Sequence, residues 1–401
     1  MDSLTQVTLG AAVGEIVLGR KIGNRAMFWG AVAGTIPDLD VFSEYFVTPV
    51  QDLAIHRGFS HSIVFSILGA FVIGWIVDHI YKSKYHKYFG FVGWLGVPVA
   101  VLYFLARIFD MDMGEPKNML LLALVLIAFV LWLYRKYFVK PHQLLDVSRS
   151  EWRMLFFWSL FTHPILDCFT TYGTQLLLPF TSYRVAFATI SVADPLYTFP
   201  FLLCVIIASF LNRSNRLRRN LTILGLAMSS SYLFWTVWNK YKVHEIWKEN
   251  LEQKEISYSD LLTTPTILNN ILWYGVAETD DGYYHGLYSF WDSDTDIDLQ
   301  FTPKNYDLLD ARKDDPTIKT LAWFSDGFYS ASAKENGELI INDLRFGSIN
   351  DPNKDDQVEF IFSFPVQKNE EGYYEITRSF EGPPGDRQEM LQNLIKRVKG
   401  Q

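Results

Sequence analysis

Long apolar runs constrain this 401-residue chain more than any other feature, because lipid leaves no water to satisfy an unpaired backbone amide. Runs of about 18–25 residues read as membrane-spanning helices. Six stand out: His61–Tyr81, Phe89–Phe109, Asn118–Phe138, Trp152–Phe169, Phe187–Leu211 and Leu221–Trp238. Two shorter segments precede them, Leu4–Leu18 and Arg25–Ile36. Gly10, Gly14, Gly30 and Gly34 in these suit close helix packing. The expected fold is an α-helical integral membrane bundle of about eight segments, followed by a small, mainly β extracytoplasmic domain. Met1–Gly19 lacks a basic leading region and has Glu15 within its apolar stretch, so it does not read as a signal peptide.

Charge divides the chain near residue 240. Residues 1–239 hold 19 Lys and Arg against 14 Asp and Glu, and residues 240–401 hold 17 against 30. The first part is expected to be the transmembrane domain and the second a soluble acidic one. A net charge of −8 with no basic cluster outside the short loops argues against nucleic acid as a partner. The two cysteines, Cys168 and Cys204, form no zinc or disulfide spacing.

Lys and Arg in short loops orient the spans. Four basic clusters alternate with loops poor in Lys and Arg: Arg20, Lys21 and Arg25; Lys82, Lys84 and Lys87; Arg135 to Arg153; Arg213 to Arg219. With eight passes all four face the cytoplasm, and both termini face outward. Beyond Lys240, Val243–Leu262 reads as a short amphipathic helix. Alternating runs then suggest strands at Ile271–Ala277, Tyr283–Tyr288, Leu321–Phe324, Leu339–Leu344 and Val358–Phe364. Turn signals lie at Asp280-Asp281-Gly282, Asn336-Gly337 and Glu370-Glu371-Gly372, and a helix is expected over Asp386–Lys399.

Four polar clusters interrupt the apolar pattern, and the Lys and Arg topology places all of them on the outer side. They are Asp38 and Asp40 after Pro37; His56, Arg57 and His61; His163 and Asp167; and Asp194 before Pro195. His163 and Asp167 are four apart, so a helix presents both on one face. Imidazoles and carboxylates together suit zinc or another divalent transition metal, as one or two ions. Asp and His near lipid are costly, which favours a functional role. His79, His86, His142, His244 and His285 read instead as interfacial or hydrogen-bonded residues, and Ser60 and Ser62 as structural.

The same residues carry a family resemblance. Met1-Asp2-Ser3-Leu4-Thr5-Gln6, Gly34-Thr35-Ile36-Pro37-Asp38-Leu39-Asp40, His56-Arg57-Gly58-Phe59-Ser60-His61-Ser62, Thr162-His163-Pro164-Ile165-Leu166-Asp167 and Thr170-Thr171-Tyr172-Gly173-Thr174-Gln175 resemble the YdjM-like family. That family consists of bacterial inner-membrane proteins described as membrane-bound metal-dependent hydrolases, and the resemblance covers about residues 1–240. It implies a metal site on Asp38, Asp40, His56, His61, His163 and Asp167. Relatives carry His where this chain has Gln6, which implies a missing ligand or a supporting role at that position. The His-x-x-x-Asp and Pro-Asp elements are also similar to those of zinc-dependent phospholipase C and related nucleases, which favours phosphoesters.

The sequence therefore leads to a metal-dependent hydrolase at the outer face of the bacterial cytoplasmic membrane, with the lipid bilayer as a partner and a phosphoester or lipid-linked substrate. Asp38, His61, His163 and Asp167 hold the ion, with Asp40, His56 and Asp194 as further donors. Asp40 and Arg57 are the expected catalytic pair, the first as base and the second steadying negative charge. Two other classes fit the same residues: an ion-coupled transporter, and an assembly protein with a structural metal site.

Overall fold

The computed structural model describes residues 1–91, 116–139, 145–309, 315–334, 338–348, 360–377 and 387–400. Helix α1 (Ser3–Ile22) starts at Asp2, whose carboxylate accepts from the Thr5 amide at 3.1 Å. The chain reverses at Gly23, with φ +61°, into α2 (Asn24–Thr35). The two helices pack backbone to backbone. A methyl group at Gly10 would lie 2.3 Å from the Gly30 carbonyl oxygen, and one at Gly30 2.1 Å from that of Gly10.

Pro37 ends α2, and Pro37–Tyr45 winds as a 3₁₀ segment. The short helix α3 (Pro49–Ile55) and a 3₁₀ turn (Phe59–His61) lead into α4 (Ile63–Lys82). Then come α5 (Pro116–Tyr134), α6 (Arg149–Asp167), α7 (Pro195–Phe210) and α8 (Arg216–Gln253). Residues group into two compact units, Gly69–Met154 and the remainder.

This corrects the eight-segment bundle. Among the described residues only two helices, α4 and α8, are long and apolar enough to cross a membrane. The physical reasons differ by segment. Phe187–Leu211 is broken: turns occupy 170–194, Asp194 caps α7, and the 16-residue helix that follows is shorter than a span requires. Trp152–Phe169 falls on α6, which buries Ser159, His163 and Asp167 inside the protein. Arg25–Ile36 forms only the 12 residues of α2. Phe89–Phe109 lies largely outside the described residues, as do several side chains of α5.

Helix α8 passes through residue 240 without a break. Its last turns place Val243, Trp247 and Leu251 against Trp273, Ala277 and Tyr288, so the helix helps to close a β core. That core backs a four-stranded antiparallel meander: β1 (Asp260–Pro265), β2 (Leu272–Glu278), β3 (Gly282–Ser289) and β4 (Gln300–Pro303). Buried His285 on β3 hydrogen-bonds Thr302 at 2.9 Å, and burial pushes its imidazole down to about 4. A second antiparallel meander holds β5 (Tyr329–Ala333), β6 (Leu339–Ser348), β7 (Phe360–Lys368) and β8 (Tyr374–Ile376). Asn336-Gly337 lies outside the described residues, and the C-terminal helix α10 covers Arg387–Val398.

Leu321–Phe324, expected as a strand, is the end of helix α9 (Pro316–Phe324). Asp315 caps it by accepting from the Thr317 and Ile318 amides, and Pro316 opens its first turn. Helix α9 and the second sheet pack on Val50 and Leu53 of α3 and on Tyr172. The second sheet thus lies directly against the segments that hold the polar cluster.

Candidate metal centre

Three elements bring four donors together. The 3₁₀ segment after Pro37 carries Asp38, the Phe59–His61 turn carries His61, and the last turn of α6 carries His163 and Asp167. Asp38 Oδ1 lies 3.5 Å from His61 Nε2 and 3.3 Å from His163 Nε2. Asp167 Oδ2 lies 3.4 Å and 3.2 Å from the same two nitrogens, which are themselves 3.1 Å apart. A tetrahedral ion with donors at about 2.0–2.2 Å has corners about 3.3–3.6 Å apart. Five of the six donor separations are thus close to tetrahedral spacing, and the four donor atoms, all within 4.8 Å of one another, form a possible site for one transition-metal ion.

The bonding supports that fit. Asp167 Oδ2 is buried and makes no hydrogen bond of good geometry among the described residues. Both histidines are held by the nitrogen that faces away from the cluster. His163 Nδ1 lies 2.6 Å from the Gly34 carbonyl, which makes it the donor and leaves Nε2 as a lone pair for a metal. His61 Nδ1 lies 3.2 Å from Asp40 Oδ2.

Asp40 binds the cluster together from behind. Its Oδ2 also accepts from the Arg57 amide and the Ser60 hydroxyl, each at 2.9 Å, and its Oδ1 faces His56 Nδ1 at 3.1 Å. Asp40 and His56 thus stand beside the four donors and support His61. Asp194 lies elsewhere: it caps α7 and accepts from Tyr232 Oη at 2.8 Å. Arg57 has φ +53°, unusual for a residue with a side chain. Its guanidinium is buried, donates to Thr170 Oγ1 at 2.8 Å, and brings Nε within 3.8 Å of Asp167 Oδ2.

The charges around the cluster are compatible with a bound cation. Burial opposes ionisation of Asp38 and Asp40, yet the adjacent imidazoles hold both carboxyls well below the usual range. Asp167 is likewise held low against its burial, chiefly by Arg57 and the Met1 amino group, which hydrogen-bonds it. Burial alone would lower His61, but Asp167, Asp38 and Asp40 press against it and push it up to about 10. A metal ion between these groups would replace that proton.

Further groups support the centre, among them Gln6, for which the sequence left a missing ligand or a supporting role open. Gln6 donates to Asp167 Oδ1 at 3.0 Å and to the His163 carbonyl at 3.2 Å, a supporting role that needs no imidazole. Tyr172 stacks edge-on against His56 and lies under both Arg57 and Arg184. Arg184 also donates to the Tyr172 carbonyl and rests on Trp323 and Phe324 of α9. No sequence signal marks this arrangement, because it depends on a ring and a guanidinium from separate segments.

A family model described as YdjM inner membrane protein matches residues 1–112 and 119–243. The match takes in every residue of the donor cluster and ends within α8, before the first sheet. No curated protein and no solved structure matches the chain.

Proposed function

This chain belongs to the YdjM inner membrane protein family, and from that premise and the geometry above we propose that it is a metal-dependent hydrolase of phosphoesters. One observation carries the reading. Three of the four donors are sealed from solvent, whereas the Asp38 side chain is 23% exposed, which leaves the centre an open side. A catalytic ion needs such a side, and a bound divalent ion there supplies Lewis acidity and an acidified water.

The residues divide the remaining work. Asp38, His61, His163 and Asp167 hold the ion. Asp40 orients His61 and, through Oδ1, positions the half-buried His56 as the proton donor to the departing oxygen. Arg57, buried and fixed by Thr170, offsets negative charge developing on the phosphoryl group. Asp194 stabilises α7.

A structural metal site is the second reading, since four protein donors at tetrahedral spacing can close a zinc shell. Purified protein, metal-loaded in nanodiscs, separates the two. The hydrolase reading expects metal-dependent cleavage of bis-(p-nitrophenyl) phosphate or a phospholipid headgroup, lost in His163→Ala together with the bound metal. Tight metal binding without hydrolysis of any phosphoester would give the case to the structural site.

A further inference from the structure

The two loops that carry Asp38 and His61 also carry large apolar side chains that nothing in the described structure covers. Tyr45 is 72% exposed and Phe46 85%, and Leu39, Val41, Phe42 and Phe59 are each about half exposed. Leu39 sits between Asp38 and Asp40, and Phe59 lies two residues before His61. The loops form one surface, because Asp40 on the first accepts hydrogen bonds from Arg57 and Ser60 on the second. Ser43 holds the first loop to α3 by donating to Asp52 at 2.5 Å. The rings are therefore presented by an anchored segment.

An aqueous surface would not tolerate such a collar without charge. Between Leu39 and Phe46 the only exposed ionic side chain is Glu44, and no Lys or Arg occurs from Ala26 to His56. Chain continuity supplies the occupant. Span α4 begins at Ile63, two residues after His61, so at a rise of about 1.5 Å per residue the centre lies within one helical turn of the hydrocarbon boundary. Ile67 and Leu68, on the first turns of α4, continue the exposed apolar surface. Aromatic side chains at that level are the usual anchors of a bilayer interface.

We propose that Leu39, Val41, Phe42, Tyr45, Phe46 and Phe59 lie in the lipid leaflet, so that the metal centre takes its substrate laterally from the membrane: an amphiphile whose phosphoester headgroup reaches Asp38 while its chains remain among these rings. This rests on the hydrolase reading for the reaction, but the seat in lipid does not.

A nitroxide at Phe46→Cys, with Phe42→Cys as the second position, tests the seat in nanodiscs by collision with oxygen and with a water-soluble nickel chelate. Cys168 and Cys204 are buried and leave the introduced thiol as the reactive one. High oxygen and low nickel access is the expected result. High nickel access would place the collar in water, and shielding from both would place it against protein; either overturns the proposal. For substrate class, Phe42→Ser/Phe46→Ser should lower cleavage of a long-chain phospholipid in vesicles at least tenfold while a short-chain soluble phosphoester is cleaved as before. Equal loss on both would refute lateral uptake. An absence of hydrolysis with high oxygen access would remove the reaction and leave the collar in lipid.

Discussion

Asp40→Asn isolates what orientation contributes to the metal centre. The substitution keeps size and shape, and an asparagine oxygen at the Oδ2 position still accepts from the Arg57 amide and the Ser60 hydroxyl. It removes the negative charge 3.2 Å from His61 Nδ1 and puts an amide NH₂ toward His56. His61 keeps an oxygen acceptor at Nδ1, which still fixes its tautomer, but it loses the negative charge that strengthens Nε2 as a donor. Carboxylates placed behind a metal-bound histidine contribute about 10–100-fold in affinity, or about 1.4–2.8 kcal/mol. We expect zinc to bind Asp40→Asn weaker by that factor, and His163→Ala weaker by more, because a donor is lost outright. Competition against a chromophoric chelator measures both, with circular dichroism checking that the helices persist. Unchanged affinity in Asp40→Asn would refute the orienting role. A loss equal to that of His163→Ala would make Asp40 itself a ligand.

Two further outcomes concern the scaffold. Gly30→Ala pushes a methyl group into the Gly10 carbonyl, so it should lower stability by about 1–3 kcal/mol and reduce the melting temperature, measured in detergent. His285 is neutral in the fold, with its pKa pushed from 6.5 to about 4, so the unfolded chain binds the extra proton. Stability from this group is present above pH 6.5 and is lost as pH falls through 6.5 toward 4, by about 3 kcal/mol. Denaturant titrations at pH 7 and 4.5 should show a smaller acid loss in His285→Gln than in wild type; identical losses would remove His285 as the cause.

Parts of this architecture are legible in the sequence because local rules decide them. The i, i+4 spacing of His163 and Asp167 fixes their shared face, and Asp280-Asp281-Gly282 lies where β2 turns into β3. Other parts are set by tertiary partners. An aspartate before proline gives the same signal whether it binds a metal or caps a helix, and only the fold shows Asp194 at the cap of α7. Hydropathy likewise does not separate a helix facing lipid from one packed in protein, so α6 reads as a span although its polar face lines the centre. Four apolar residues at Leu321–Phe324 are too few to distinguish helix from strand, and the cap at Asp315 decides it. The Gly34 carbonyl that holds His163 is main chain and leaves no trace in residue identity.

The contact of Arg184 with Tyr172, Trp323 and Phe324 has a consequence for the medium in which the protein works. Its guanidinium lies 4.5, 5.2 and 4.8 Å from the three rings and donates to main-chain carbonyls, with no carboxylate at ion-pair distance among the described residues. Exposed ion pairs weaken as salt rises, because the screening length falls from about 10 Å at 0.1 M to about 3 Å at 1 M. A cation held against aromatic faces at such short range depends little on that screening. The seam between the metal centre and the second sheet should therefore depend less on salt than exposed ion pairs do.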